Sequence, residues 1–248
     1  MIILKSPAEI EIMAAAGSIV ASAIQKLKEA IKPGLTTREL NRIAEDLITK
    51  KGAIPAFKGY RGFPASICTS INQQVVHGIP GPYTLKDGDI VSIDIGTVYN
   101  GYYGDAAFTC GVGEVTAQAR RLMEVTEQSL YEGINRMFEG NRLSDISYAV
   151  QSYVEKNGFS VVRDYVGHGI GQNMHEDPQV PNFGLPGKGP RLKEGMVLAV
   201  EPMVNVGSYH VKTLEDNWTV VTADSSLSAH FEHTVAITGN GPQILTQT

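Results

Sequence analysis

The chain has 248 residues, 42% of them apolar, and a formal net charge of −5, enough for a full core in one large domain or two fused halves. Lysine and arginine are scattered without a basic stripe, and neither a signal-peptide pattern nor a run of about 18 apolar residues is expected, so nucleic acid and membrane are excluded as partners. The two cysteines, Cys68 and Cys110, lack metal-ligand spacing and fit free thiols, which predicts a cytoplasmic protein, taken here as a monomer.

Residues 7–31 read as an amphipathic helix. Ser6 caps it, Pro7 takes its first position, Glu9 completes a capping box, and Ile10, Met13, Gly17, Val20, Ile24, Leu27 and Ile31 recur at helical spacing. Pro33-Gly34 ends it. A second helix runs from about Thr37, its expected cap, to Lys51, buries Leu40, Ile43, Ala44 and Leu47, and stops at Gly52. Residues 53–85 are loop and short strand, rich in proline and glycine.

Ile90 to Thr109 then reads as a β-hairpin. Asn100-Gly101 is a strong signal for a two-residue turn with φ > 0 at both positions, and β-branched and aromatic residues flank it. If the turn closes between Tyr99 and Tyr102, Gly96 lies opposite Asp105 and Ile95 opposite Ala106, so Asp94 and Asp105 are diagonal neighbours on one face. Diagonal partners lie roughly 7–8 Å apart, and two carboxylates leaning into that gap can share a cation. Gly96 leaves room for it.

The second half repeats the plan: a helix from about Thr116 to Phe138, Gly140 as breaker, a helix from Ser144 to Lys156, then Gly158. Gly34 to Gly52 and Gly140 to Gly158 are both spaced by 18, and the segment from Leu85 to Asp94 finds a partner from Leu192 to Glu201. The offset is 106 at the helices and 107 here. The expected organisation is α+β: one catalytic domain, 1–248, made of two pseudo-symmetric halves at about 1–112 and 113–248, with Asp94 and Glu201 in equivalent places. A site at their seam receives an acid from each.

Phe159 to Val166 reads as a strand running into Gly167-His168-Gly169, where the glycines let the backbone approach whatever the imidazole touches. Trp218 to Thr222 and Ala229 to Thr238 read as two more strands, the second with His230, Glu232, Thr234 and Ala236 on one face. Together Asp94, Asp105, His168, Glu201 and Glu232 offer four carboxylates and one imidazole. One cation would be overloaded by that set, whereas two divalent ions can share it, and oxygen and nitrogen donors suit Co, Mn, Fe or Zn. By the same alternation His230 falls near the ions, where it could hydrogen-bond a ligand carboxylate. His233 faces away, and His210 has no partner to name.

Seven stretches in order carry a resemblance: His77-Gly78-Ile79-Pro80, Asp94-Ile95-Gly96, Gly104-Asp105, Gly167 to Gly171, Met174 to Pro178, Glu201-Pro202 and Phe231 to Thr234. The chain resembles the type I methionine aminopeptidases, nearly end to end. The resemblance implies a pita-bread fold, a central, mostly antiparallel sheet covered by helices. It implies removal of the initiator methionine from nascent polypeptides with a small second residue, by attack of a dimetal-bound hydroxide. In it Asp94 chelates one ion, His168 and Glu201 serve the other, and Asp105 and Glu232 bridge. Glu201 also shuttles the proton, His175 donates to the forming oxyanion, and His77 reaches the scissile amide nitrogen.

Phe57, Tyr60, Phe63, Cys68, Met174 and Trp218 match the methionine pocket, although Phe57, Met174 and His230 stand where Cys, Phe and Gln are commoner. Asn72, Gln74 and Ser228 match a monovalent-cation site, and docking on the ribosome surface is expected of the catalytic domain itself. A prolidase or X-Pro aminopeptidase would carry a large preceding domain, and a type II enzyme a helical insert between its last two acids, whereas Glu201 and Glu232 are 31 apart. A pita-bread protein without catalysis would have no reason to keep all five ligands.

Overall fold

The computed structural model describes residues 1–247. Helix α1 spans Pro7–Ala30 behind the Ser6–Glu9 capping box, and α2 spans Thr37–Lys50. The cap of α2 is Thr36, not Thr37: its hydroxyl accepts from the Glu39 backbone N–H while the Glu39 carboxylate accepts from the Thr36 backbone N–H. Helix α3 spans Ala117–Ile134 behind Thr116, and α4 spans Leu143–Lys156. α3 stops before Phe138 because the N–H groups of Arg136 and Met137 donate three residues back, to Gly133 and Ile134, and tighten the last turn. α4 begins one residue before Ser144, whose hydroxyl is engaged by the Lys188 backbone N–H instead of capping.

The hairpin has the expected register. Ile90–Tyr99 pairs with Tyr102–Gly111, with Gly96 opposite Asp105 and Ile95 opposite Ala106. Asn100 (φ 47°) and Gly101 (φ 81°) make the turn. Around this hairpin a nine-stranded sheet runs Ile54–Pro55, Ile90–Tyr99, Tyr102–Gly111, Glu232–Thr238, Val197–Val200, Gly167–Gly169, Glu176–Val180. Ile67–Ile71 also pairs with the first hairpin strand and Gly241–Ile244 with Glu232–Thr238, all antiparallel.

Helix α1 packs on the hairpin and α3 on its second strand and on Glu232–Thr238. Val20, Leu27, Leu130 and Ile134 thereby join Ile93, Ile95, Phe108 and Val235 in one buried core. An 18-residue window of α1 has a mean hydropathy of 1.4, long and apolar enough by composition to cross a membrane, which the apolar-run expectation missed. Its apolarity is that of a core helix, since Met13, Ala16, Val20, Ala23 and Leu27 are fully buried against the protein.

Two small sheets flank the main one: Ser160–Val161, Met203–Asn205 and Ser228–His230, and Gln74–Val76, Val220–Thr222 and Val211–Thr213. Two strands expected to be continuous are divided, and a third break parts two neighbouring strands. The run 159–166 keeps only Ser160–Val161, because the polar pair Arg163-Asp164 interrupts it before Gly167–Gly169 enters the main sheet. Ala229–Thr238 breaks at Phe231, whose backbone N–H leaves the ladder for the Pro202 carbonyl. Val197–Val200 and Met203–Asn205 are parted at Glu201-Pro202, where proline removes a ladder donor. The breaks at Glu201 and Phe231 fall side by side.

Backbone bonds recur at the offset of the sequence repeat. Gly34 N–H donates to Leu85 O and Gly140 N–H to Leu192 O; Thr37 N–H donates to Tyr83 O and Leu143 N–H to Pro190 O. At Thr37 and Leu143 the loop carbonyl satisfies a donor that the first helical turn cannot.

The chain's start is fastened to the far loop. Lys5 N–H donates to Gly195 O, and Lys5 Nζ meets Glu176 Oε2 at 2.6 Å with both side chains almost fully buried. A buried pair that loses one partner leaves an uncompensated charge. Lys5→Met should therefore lower the unfolding free energy by about 3–5 kcal/mol in urea titrations, and adding Glu176→Leu should restore most of it. Equal stability of Lys5→Met and wild type would show that water reaches the Glu176 carboxylate.

Candidate metal centre

The five ligands expected from the sequence line one cavity: Asp94, Asp105, His168, Glu201 and Glu232. Asp94 and Asp105 come from the hairpin, His168 from the strand between Val197–Val200 and Glu176–Val180, and Glu201 and Glu232 from the places where strands change sheets. Asp105, His168 and Glu232 offer ligand atoms all within 4.8 Å of one another, and so do Glu201, His230 and Glu232. His168 Nδ1 lies 2.9 Å from the Gly169 carbonyl oxygen, which only a protonated Nδ1 can use. That leaves Nε2 free as an acceptor, 3.6 Å from Glu201 Oε1.

The backbone around the ligands is pinned by two threonines that sequence patterning had no way to single out. Thr234 Oγ1 accepts from the Asp105 N–H at 3.0 Å and donates to the Asp105 carbonyl at 2.7 Å. Thr109 Oγ1 does the same for His230, accepting its N–H at 2.9 Å and donating to its carbonyl at 2.8 Å. Each hydroxyl replaces a ladder partner where strand pairing has lapsed. The room that Gly96 is expected to leave for a cation is taken mainly by the apolar wall, since a β-carbon there would lie 2.8 Å from Phe57 Cε1, 3.0 Å from Ala56 Cβ and 3.3 Å from Asp105 Oδ1. At Gly167 and Gly169 a β-carbon would collide with backbone carbonyls of the strands on either side.

Phe57, Tyr60, Phe63, Cys68, Met174 and Trp218 form one apolar cluster on the wall of the cavity, which holds about 180 Å³. Phe63 meets Trp218 edge to face at 5.1 Å. His77 and His175 also line it. His77 is held at φ 60°, a conformation seldom adopted outside glycine, with its ring edge-on to Tyr165 and Trp218. His175 stacks on Tyr60 and its Nδ1 is 2.8 Å from the Tyr60 hydroxyl. The lining also includes Arg61, Val76, Tyr165 and Met203, which come from loops and short strands.

His230 is in the wall, although the alternation that placed it beside Glu232 is broken at Phe231. His233 shares a hydrogen bond with Thr246 Oγ1 and His210 is exposed beside Tyr209, so neither enters the cavity. Asn72 accepts the Ser228 N–H on its carbonyl and donates from its side chain to Asp89, while Gln74 Oε1 takes the Ile71 N–H.

Residues 11–239 match metallopeptidase family M24. A methionine aminopeptidase of Clostridium perfringens is 62% identical over 99% of both chains, and methionine aminopeptidase 1 of Bacillus subtilis is 61% identical over 100% of both. Among solved structures, the methionine aminopeptidase of Thermotoga maritima superposes with a TM-score of 0.99 at 48% identity, covering all of both chains. A prolidase from Pyrococcus furiosus gives 0.79 at 25% identity, over 99% of this chain and 66% of its own.

The donor set fits divalent cations. Of the six buried side-chain polar atoms without a hydrogen-bond partner among the described residues, four are Asp94 Oδ1, Asp105 Oδ1, His230 Nε2 and Glu232 Oε1. Burial, compounded by mutual repulsion, pushes Asp94, Glu201 and Glu232 well above the carboxylate range, and burial takes Asp105 up to about 7. Burial takes His77 and His168 down to about 4 and His230 to about 3. Raised carboxyls contribute stability at low pH and lose it as pH rises through their folded values. Lowered histidines act in the opposite sense, and their contribution is complete above their unfolded value of about 6.5. The metal-free protein should therefore lose thermal stability from pH 6.5 to 8, while saturating Mn or Co should raise the melting temperature most at pH 8. A metal-free melting temperature that climbs across this range would contradict the upward shift that burial imposes on these acids.

Proposed function

The chain belongs to metallopeptidase family M24, adopts its pita-bread fold and removes amino-terminal methionine from peptides as a divalent-metal hydrolase; we propose that the cavity just described is where it does so. The observation that carries this reading is the convergence of four carboxylates, three of them with an orphaned buried oxygen, and one imidazole at an apolar pocket of thioether-friendly residues. Asp94, Asp105 and Glu232 would hold one ion and His168, Glu201, Asp105 and Glu232 a second, with Asp105 and Glu232 shared. When bound, the ions supply Lewis acidity that brings a water pKa toward about 7. Co, Mn, Fe and Zn all suit these donors. A monovalent cation near Asn72 and Ser228 belongs to the same proposal.

Each side chain has a task its surroundings support. Glu201, whose neutral form burial favours, takes and returns the proton. A Tyr60 hydroxyl donating to His175 Nδ1 leaves the proton on Nε2, a donor for the carbonyl oxygen as it turns anionic. His77, in its constrained backbone, orients the scissile amide. Phe57, Tyr60, Phe63, Cys68, Met174 and Trp218 receive the methionine side chain. The chain acts as a single domain of two related halves, about 1–112 and 113–248, as a monomer in the cytosol, on polypeptides emerging at the ribosome surface.

The protein loaded with Mn or Co should hydrolyse Met-Ala-Ser and leave Ala-Pro peptides intact, and the reverse would move it to the prolidase branch of the fold. His175→Ala should keep its metal content and lose roughly 10²–10³ in kcat, the usual loss for one oxyanion donor. A fall in metal content would make His175 a ligand instead. A second residue branched at Cβ crowds the ion centre and cannot rotate away. Met-Ile-Ile-Leu, the protein's own beginning, should have a far lower kcat/KM than Met-Ala-Ile-Leu, and comparable values would refute the preference for a small second residue.

A further inference from the structure

His230 is not needed by the mechanism above, yet it is one of the most confined polar side chains in the protein. It is 2% exposed, and its Nε2 has no hydrogen-bond partner. A buried nitrogen left unpaired costs about 1–3 kcal/mol, so the position calls for a partner that is not a protein atom. Nε2 lies 3.8 Å from Glu201 Oε2 and 4.0 Å from Glu232 Oε2. Both separations exceed hydrogen-bond length. They match the spacing between two donors on one cation, roughly 3–4 Å when each stands about 2.0–2.2 Å from the ion. Thr109 holds both backbone groups of His230, which fixes the point from which the buried ring projects.

We propose that His230 is a sixth protein ligand, its Nε2 completing the coordination of the ion shared by Glu201 and Glu232. This rests on the two-ion reading of the cavity and adds to it a second imidazole. Asp94, Asp105, Glu201 and Glu232 already supply four negative charges, and a neutral nitrogen donor adds affinity without a fifth. Imidazole favours the later first-row metals, so the site is biased toward Co, Ni and Zn over Mn more strongly than its carboxylates alone would make it.

Cobalt X-ray absorption on the full chain loaded with two equivalents of Co(II) counts imidazoles directly through their outer-shell scattering. Two imidazoles per cobalt pair are expected in the wild type, and one in either His168→Gln or His230→Gln. Calorimetry should show the weaker of the two cobalt affinities falling by about tenfold or more in His230→Gln. A wild-type count of one imidazole, lost in His168→Gln and unchanged in His230→Gln, would overturn the proposal while leaving the two-ion reading intact. A cobalt pair with no imidazole in any of the three proteins would overturn both. The wild-type count decides the matter even if a variant fails to fold.

Discussion

Four carboxylates buried within reach of one another repel, and most of the architecture around the cavity can be understood as the means of holding them together. Asp94 and Asp105 are set by a hairpin whose register a tight Asn-Gly turn fixes. Glu201 and Glu232 project from the points where strands leave the main sheet for a smaller one. Regular pairing would bond the backbone there to its neighbours in full. The breaks free the backbone to turn the acids inward, and Pro202, Thr109 and Thr234 then satisfy or remove the groups the breaks would orphan. Three of the buried oxygens that remain unpaired belong to the acids themselves, on Asp94, Asp105 and Glu232.

The duplicated plan explains how such a centre is supported from both sides. Helices α2 and α4 start with the same bonds from loop carbonyls to their first free N–H groups, at the offset the sequence repeat shows. Each helix therefore carries its loop and the following strand in a defined position; the first of those strands holds Asp94 midway along it, and the second ends at Glu201. A cavity between two rigid supports needs no flexible element to assemble it.

Much of this was legible in the residues. The hairpin was readable because turn chemistry and alternation agree there, and the helices because Ser6, Pro7, Glu9, Gly34 and Gly52 punctuate a clear periodicity. The five candidate ligands stood out because carboxylates inside apolar strands are costly without a purpose. The strand breaks at Arg163-Asp164, Glu201-Pro202 and Phe231 were not readable. Period-2 alternation continues across a change of sheet, since a chain can keep its inward and outward sides while exchanging neighbours. The same cause hid Thr109 and Thr234, whose importance lies in hydroxyls that face a lapsed ladder, a property of tertiary pairing and not of pattern. Arg61 reaches the cavity from a segment where composition says only that the chain turns, and Tyr165 from the part of the expected strand 159–166 that is not paired. At the cap of α2 the sequence offered Thr36 and Thr37 side by side, and Glu39 decides between them by its three-residue reach.

At Gly96 the absence of a side chain brings two functions into mechanical contact. The space beyond that α-carbon is bounded by Phe57 of the apolar wall and by Asp105 of the ion centre. Whatever reshapes the wall at Phe57 is transmitted across one residue to a carboxylate, with no intervening side chain to absorb the shift. A side chain at position 96 would therefore press on the apolar wall and on the Asp105 carboxylate at once.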